Sequence, residues 1–459
     1  MKSAIYEKIG VKIVYGALVH KGTHEGPCRT GDKKFLSLEN ERRRAKENFE
    51  NFVKEVEENI NKEDAELLDP IYIEYFEDFI VKESEFKKLE NDLEKTDLFL
   101  IGFRVPGIER YKKPVAMIGK GVTNVDISAY MRSRELEGYA IFDFDELNDL
   151  IFLMKVRKAI NKTRILRISG GEEIPWGVVS SIYDFEKLKG KYRTEVKTVL
   201  FGEFFEEMEE ITKKEKEEAE KAYNKLVKEA VKVHMKKEDM MGSIYFYLTA
   251  KSLMKKFNCN AFTSSCFELC STQIPEKKKF VPCLTHTLLK DEGFPSACEE
   301  DMSVLFAMAI LMYISKKSPY MGNPSVVDKN TIRIIHDVPG IKMKGIDKKG
   351  LPYEIRNFTV AGWGVNIRYD FSQDKGEKVT LARFDPLAEK ILLVKGEILK
   401  GINFNEISCS LGVEIKVSDA MEYFHKASDF GHHLAMVYGD YTDEIKKIGK
   451  LMNFEVIEV

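Results

Sequence analysis

The chain has 459 residues, 44% hydrophobic and 32% charged, with a formal net charge of −3 from 72 basic and 75 acidic side chains. That length allows more than one core, and the near-balance of charge excludes a basic nucleic-acid surface spread over the whole chain. Seven Cys, an odd number in so long a chain, exclude a disulfide scaffold.

Residues 11–168 alternate strand-like and helix-like segments. The strands are VKIVYGALV, PIYIEYF, LFLIGF, PVAMIG, YAIFDF and RILRIS, and charged amphipathic stretches such as 37–61 and 81–96 lie between most of them. This is the βαβ alternation of a doubly wound sheet. No G-x-G-x-x-G follows the first strand, so a dinucleotide fingerprint is missing. A second α/β unit begins near Arg164, with strands RILRISG, VKTVLFG, CNAFTSS and FPSACE. Residues 205–238, rich in Lys and Glu with both signs at i and i+4, read as one long solvated helix. Beyond Ser315 the runs TIRIIHDV, YEIRNFTVAGWGVNIRYDF, KVTLARF, KILLVKGEIL and GVEIKV, joined by Gly- and Lys-rich turns, read as an antiparallel barrel or sandwich. A helix over 441–452 and a strand NFEVIEV close the chain. The expected architecture is α/β: two consecutive Rossmann-like doubly wound domains, 1–162 and 163–330, then a β-rich, barrel-like domain, 331–459.

The apolar run 304–314 is too short to span a bilayer, and the N-terminus lacks a signal-peptide layout, so a cytoplasmic protein is expected. Cys266, Cys270, Cys283 and Cys298 crowd one region, but their spacing does not suit a zinc cluster. Reduced thiols are expected there.

Glu299, Glu300 and Asp301 stand directly before the most apolar helix of the chain. Acids in a first turn suit the helix dipole. The carboxyl end of a strand entering a helix is also where open α/β sheets bind ligands. One acid suffices to cap, which leaves the others for a site. Glu300 is the expected cap.

Histidine is scarce, with eight in the chain. Adjacent His432 and His433 must point in different directions, so one can bind while the other packs. His336 ends a strand, and His286 reads as a structural helix residue. Glu and His together, without a Cys ligand, suit Mn²⁺, Mg²⁺ or Co²⁺ more than structural Zn²⁺. Such an ion polarises a sugar carbonyl and hydroxyl while a carboxylate moves a proton between neighbouring carbons.

These residues carry a family resemblance. DEGFPSACEEDMSVLFAMAILM resembles the motif of L-fucose isomerase and its relatives, in which a small-residue strand ends in Glu-x-Asp and enters a buried helix; L-arabinose isomerases have a similar Glu-Gly-Asp. FGHHLAMVYGDYTDEIKKIGKLMNFEV is similar to the C-terminal His motif of the same superfamily, and TIRIIHDVPG to the strand-end His between them. The likeness covers roughly 257–340 and 425–459. It implies an aldose–ketose isomerase that uses Mn²⁺ and an ene-diol intermediate. Glu299 falls on the first acid, a metal ligand and proton-transfer group, and His433 and His336 fall on metal-ligand histidines. Asp301, at the third position of the acidic motif, is carried as catalytic in a supporting role. The second family carboxylate is Asn323 here, which offers a carbonyl oxygen to a metal but no base. Asp328 takes its place if the SPYMGNPSVVD loop bends, as do Glu300 or Asp301. The rival readings are a sugar-binding member without turnover and another metal-assisted sugar reaction, aldol cleavage or epimerisation. The resemblance further implies a homo-oligomer, a trimer or hexamer, with neither nucleic acid nor membrane as partner.

Substrate-binding candidates follow from position. His20, His24 and Arg29 lie in the loop after the first strand, and ISGGEEIPWGVVSS resembles a glycine-rich βα turn. Trp363 stacks on a sugar face or packs in a core.

Overall fold

The structure, a computed structural model, describes residues 2–171, 174–175 and 177–459. It divides into two compact units, one of Glu7–Lys155 and one of the residues up to Tyr6 with Val156–Val459.

In the Glu7–Lys155 unit, strands β1 (Ile9–Leu18), β2 (Ala65–Tyr75), β3 (Leu98–Phe103), β4 (Val115–Ile118) and β5 (Gly138–Ile141) pair in the order β2-β1-β3-β4-β5, all parallel. Strand β1 is buried along nearly its whole length, as a central strand covered on both faces must be. Helices α1 (Leu38–Asn59), α2 (Glu83–Glu90), α3 (Val122–Ser133) and α4 (Phe144–Asn161) alternate with the strands. Ser37 starts α1 by accepting the Asn40 N–H, a serine N-cap.

The Val156–Val459 unit opens with a second parallel sheet. Strands β6 (Arg164–Ser169), β7 (Glu195–Leu200), β9 (Ala261–Ser264) and β10 (Ser296–Cys298) pair as β10-β9-β6-β7. Between them run α5 (Phe185–Tyr192), α6 (Phe201–Lys214), α7 (Lys216–Glu229), β8 (Lys232–Val233), α8 (Lys237–Lys256), α9 (Cys266–Ser271), α10 (Ile274–Lys278) and α11 (Cys283–Asp291). The long helix expected over 205–238 is therefore broken at Glu215 and ends in β8. Its apolar residues explain the break. Phe204, Phe205 and Met208 bury in the core of this sheet, whereas Ala219 and Leu226 bury in a different cluster with Tyr353 and Ile355. One straight helix cannot face both.

After β10 comes α12 (Met302–Ser315), in which every residue from Met302 to Ile314 is buried. It packs on the barrel that follows. That barrel starts with β11 (Tyr320–Asp328), so YMGNPSVVD is a strand rather than a loop. Then come β12 (Thr331–Ile335), β13 (Glu354–Asn357), β14 (Val365–Arg368), β15 (Lys378–Phe384), β16 (Lys390–Ile402), β17 (Gly412–Lys416), α13 (Ala420–Ala427), β18 (Leu434–Tyr438), α14 (Thr442–Met452) and β19 (Glu455–Glu458). The antiparallel order β15-β18-β11-β12-β17-β16 closes through β15–β16 pairing, and β19 adds in parallel to β16. Ile332, Ile334, Leu381, Val394, Val413 and Met436 are among its core. Strands β13 and β14 form a hairpin that pairs with β8 instead of joining the barrel. The fold class is the expected one, α/β with Rossmann-like sheets and a C-terminal antiparallel barrel.

Candidate functional site

Strand β10 ends at Cys298, and the chain turns through two successive left-handed residues, Glu299 (φ 62°) and Glu300 (φ 55°). Non-glycine residues avoid this region, and each costs about 1–3 kcal/mol unless its surroundings hold it there. Here the Glu300 N–H donates to Ser264 O of β9 and the Asp301 N–H to Cys298 O. The double turn lets three consecutive acids point at three different partners.

Glu299 faces two imidazoles. His336 Nε2 lies 3.3 Å from its Oε1 and His433 Nε2 3.7 Å from its Oε2. The ligand atoms of Glu299, His336 and His433 all lie within 4.8 Å of one another. The sequence order brought together three elements: the β10–α12 turn, the end of β12 and the start of β18. Burial opposes ionisation of Glu299, but His336, His433 and His432 hold its carboxyl below the usual range.

Asp301, not Glu300, caps α12. Its Oδ1 accepts the Val304 N–H at 3.1 Å. Its Oδ2 pairs with Arg383 and accepts from His433 Nδ1 at 2.8 Å, all three side chains being fully buried. Burial opposes the charge, and Arg383 with His433 more than offsets it, so the carboxyl stays well below its ordinary value. Asp301 thus faces the outer nitrogen of His433 rather than the ligand atoms. It leaves His433 Nε2 buried, without a hydrogen-bond partner among the described residues and 3.7 Å from Glu299 Oε2. This is the outer-carboxylate arrangement that orients metal-binding histidines. Gly431 (φ 113°) makes the approach feasible, since a Cβ there would lie 2.2 Å from Ser180 Oγ and 2.6 Å from Arg383 Nη2.

Glu300 is fully buried against Arg167, at 2.8 Å. Burial pushes its carboxyl up to about 7, against the pull of Arg167. His432 packs against His433 with the rings tilted by 41° and their centroids 4.1 Å apart. Burial, then His433, lowers it to about 4, so it stays uncharged at neutral pH. As expected of the pair, one histidine joins the cluster while its neighbour packs.

Asn323 lies on β11 opposite Ile335, the neighbour of His336. Two residues along the same strand face, Met321 accepts the Cys298 N–H on sulfur, so Asn323 shares the face turned to the Glu299 turn. Asp328 cannot replace it. It is exposed at the far end of β11 beside the hairpin to Thr331, roughly 16 Å along a strand that rises about 3.3 Å per residue. Glu300 and Asp301 are likewise committed to Arg167 and Arg383.

The remaining candidates have other surroundings. His20 and Arg29 belong to the Glu7–Lys155 unit, where both bind Glu41: its carboxylate accepts the His20 N–H at 2.7 Å and Arg29 Nη2 at 2.9 Å. His24 edges His20, ring centroids 6.3 Å apart. Trp363 is half-buried in the β13–β14 turn, its backbone held by Thr359. In ISGGEEIPWGVVSS, Glu172, Glu173 and Trp176 lie outside the described residues; Gly177, beyond them, would put a Cβ 3.9 Å from Glu299 Oε2. His286 is structural, buried on α11 with Nδ1 2.8 Å from Ser296 Oγ. All seven Cys are free, with Cys259, Cys283 and Cys298 buried.

Sequence reasoning missed Arg383, Asp337, which pairs with the buried Arg368 at 2.9 Å beside His336, and Cys409, whose Sγ lies 3.4 Å from His336 Nδ1. An arginine inside the apolar strand KVTLARF was the available signal for the first, because such a charge needs a buried partner. Asp337 and Cys409 gave none.

No family model matches the chain. It is 30% identical over 186 residues to a sulfoquinovose isomerase of Alkalicoccus urumqiensis, spanning 39% of this chain and 40% of that one. It is 24% identical over 316 residues to sulfoquinovose isomerases of Priestia aryabhattai and Priestia megaterium, spanning 66% of each chain in both pairs. The chain is similar to sugar isomerases. It spans two fifths to two thirds of the length of these curated relatives. Among the described residues no helix is long and apolar enough to cross a membrane.

Proposed function

We propose that the chain is a metal-dependent aldose–ketose isomerase acting on a sugar or sugar derivative. The observation that carries this is the convergence of Glu299, His336 and His433, with ligand atoms within 4.8 Å and an orphaned His433 Nε2 among them. The relatives' shared name supports the reaction class. One carboxylate and two imidazoles would hold Mn²⁺ or a similar divalent ion. When bound, that ion supplies polarisation of the sugar's carbonyl and hydroxyl oxygens.

The protein's own groups do the rest. Glu299, kept ionised by the imidazoles, removes the proton beside the carbonyl to give an ene-diol, exchanges it with solvent and delivers a proton to the neighbouring carbon, while solvent carries the hydroxyl proton from one oxygen to the other. Asp301 holds no substrate in this scheme. It fixes the ring of His433 and leaves its Nε2 lone pair free. Asn323 adds a carbonyl oxygen on the same side. Its lack of a carboxylate favours, as a second reading, a metal-assisted reaction that needs only one acid–base group, such as epimerisation or aldol cleavage.

The test is turnover. Sulfoquinovose, the sugar in the relatives' name, and a panel of other aldoses are incubated with Mn²⁺-loaded protein, and ketose is measured. Ketose formation that EDTA abolishes and Mn²⁺ restores is the expected result. Epimer or cleavage products would move the assignment to the second reading. No conversion by protein shown to hold Mn²⁺ would overturn the isomerase assignment.

A further inference from the structure

Of the three convergent side chains, His336 and His433 are buried, and Glu299 alone keeps an opening, with 20% of its side chain exposed. A substrate therefore meets the cluster from the exposed side of Glu299. Two residues border the Glu299 carboxylate. Gly177 is one: a Cβ there would lie 3.9 Å from Glu299 Oε2 and 3.4 Å from Phe267 Cβ. These are ordinary contact distances, so the glycine leaves room rather than relieving a clash. Phe267 is the other. The sheet register explains why it comes so near. Strands β9 and β10 are neighbours, with Ser264 opposite Cys298. Glu299 follows Cys298 directly, and Phe267 follows Ser264 by three residues, in α9, so both leave the same carboxyl edge.

Phe267 has no duty in the core. It is 59% exposed, whereas Leu269, two residues on in α9, is buried with Phe204, Phe246, Phe262 and Phe280. Leu269 anchors the helix, and the Phe267 ring is left at the rim beside an ionised carboxylate. A sugar offers what both groups recognise. Its hydroxyls meet the carboxylate, and its C–H groups, weakly positive, pack on the negative face of an aromatic ring.

We infer that Phe267 is a substrate-stacking residue: its ring packs on the C–H face of the sugar whose reacting end lies at Glu299, in the space that Gly177 leaves between them. The ring sets affinity for the substrate and takes no part in proton transfer. Stacking on C–H groups is indifferent to a charge at the far end of the sugar, so it serves sulfonated and unsulfonated aldoses alike. This inference rests on the isomerase reading proposed above.

The experiment measures KM and kcat for the full, Mn²⁺-loaded chain and its Phe267→Ala, Phe267→Tyr and Gly177→Leu variants, with sulfoquinovose and the aldose panel as probes. Calorimetry gives the Tm and Mn²⁺ affinity of each. Phe267→Ala is expected to raise KM by about 3- to 10-fold and to change kcat by less than about twofold, with Tm and Mn²⁺ affinity unchanged. Phe267→Tyr, which keeps a ring, restores the parent KM. Gly177→Leu fills the space and loses turnover while holding Mn²⁺ as tightly as the parent. A folded Phe267→Ala with the parent KM, or Gly177→Leu with the parent turnover, would overturn the inference and leave the isomerase reading standing. A Tm more than about 2 °C lower in Phe267→Ala would overturn it differently, by making the ring part of the packing. A parent chain that converts none of the probes would remove both this inference and the isomerase reading.

Discussion

Asp301 carries three duties on one carboxylate, and its removal separates them. In Asp301→Ala, Arg383 stays fully buried with its charge unpaired, which costs about 3–5 kcal/mol. Loss of the Val304 cap adds about 1 kcal/mol. The sum, about 4–6 kcal/mol, lowers Tm by roughly 8–12 °C at about 2 °C per kcal/mol for a large domain. Asp301→Asn keeps a competent cap, since Asn and Asp cap equally well, and should melt roughly 2 °C above the alanine variant. Both variants free the outer nitrogen of His433, so Mn²⁺ affinity falls by about 10- to 100-fold. Differential scanning calorimetry and Mn²⁺ titration read the two effects. An alanine variant that melts within about 2 °C of the parent and binds Mn²⁺ equally would refute the network described.

Three further predictions follow from the same geometry. His433→Ala and His336→Ala each reduce Mn²⁺ affinity by more than about 100-fold while leaving the far-ultraviolet circular dichroism unchanged, which calorimetry and spectroscopy check together. Mn²⁺ affinity falls as pH drops: burial opposes the charge on His336, but Cys409 and Glu299 hold its imidazole well above the ordinary value, while Glu299 is held below its usual value and stays ionised, so protons compete with the metal for His336 at roughly tenfold per pH unit; flat affinity from pH 7.5 to 5.5 would contradict this. Asn323→Asp adds a carboxylate on the face turned to Glu299 and should raise Mn²⁺ affinity by on the order of tenfold, whereas weaker binding would show that Asn323 lies off the ligand set.

Much of this was legible in the sequence, for identifiable reasons. The parallel sheets were visible because their buried strands are unbroken apolar runs such as LFLIGF, and the barrel because its strands alternate between turn residues. Glu299, His336 and His433 could be named because the runs around them resemble the acidic and histidine motifs of known sugar isomerases. The 205–238 segment misled because its charges repeat at helical spacing on both sides of Glu215; only the tertiary partners of Phe204 and Leu226 distinguish two helices from one. The duties of Glu300 and Asp301 were exchanged for a similar reason. A composition of three acids does not reveal two left-handed residues in succession, and those dihedrals decide which acid reaches the helix. Cys409 was invisible because its partner, His336, is distant in the chain.

The most direct test of the central claim is hydrogen exchange at carbon. Metal-loaded protein is incubated with the aldose panel in D₂O, and the C1 and C2 protons are followed by NMR, alongside Glu299→Gln. The account predicts deuterium at the carbon next to the carbonyl in the parent, lost in Glu299→Gln. Turnover without solvent deuterium at either carbon, or unchanged exchange in Glu299→Gln, would contradict proton transfer by Glu299.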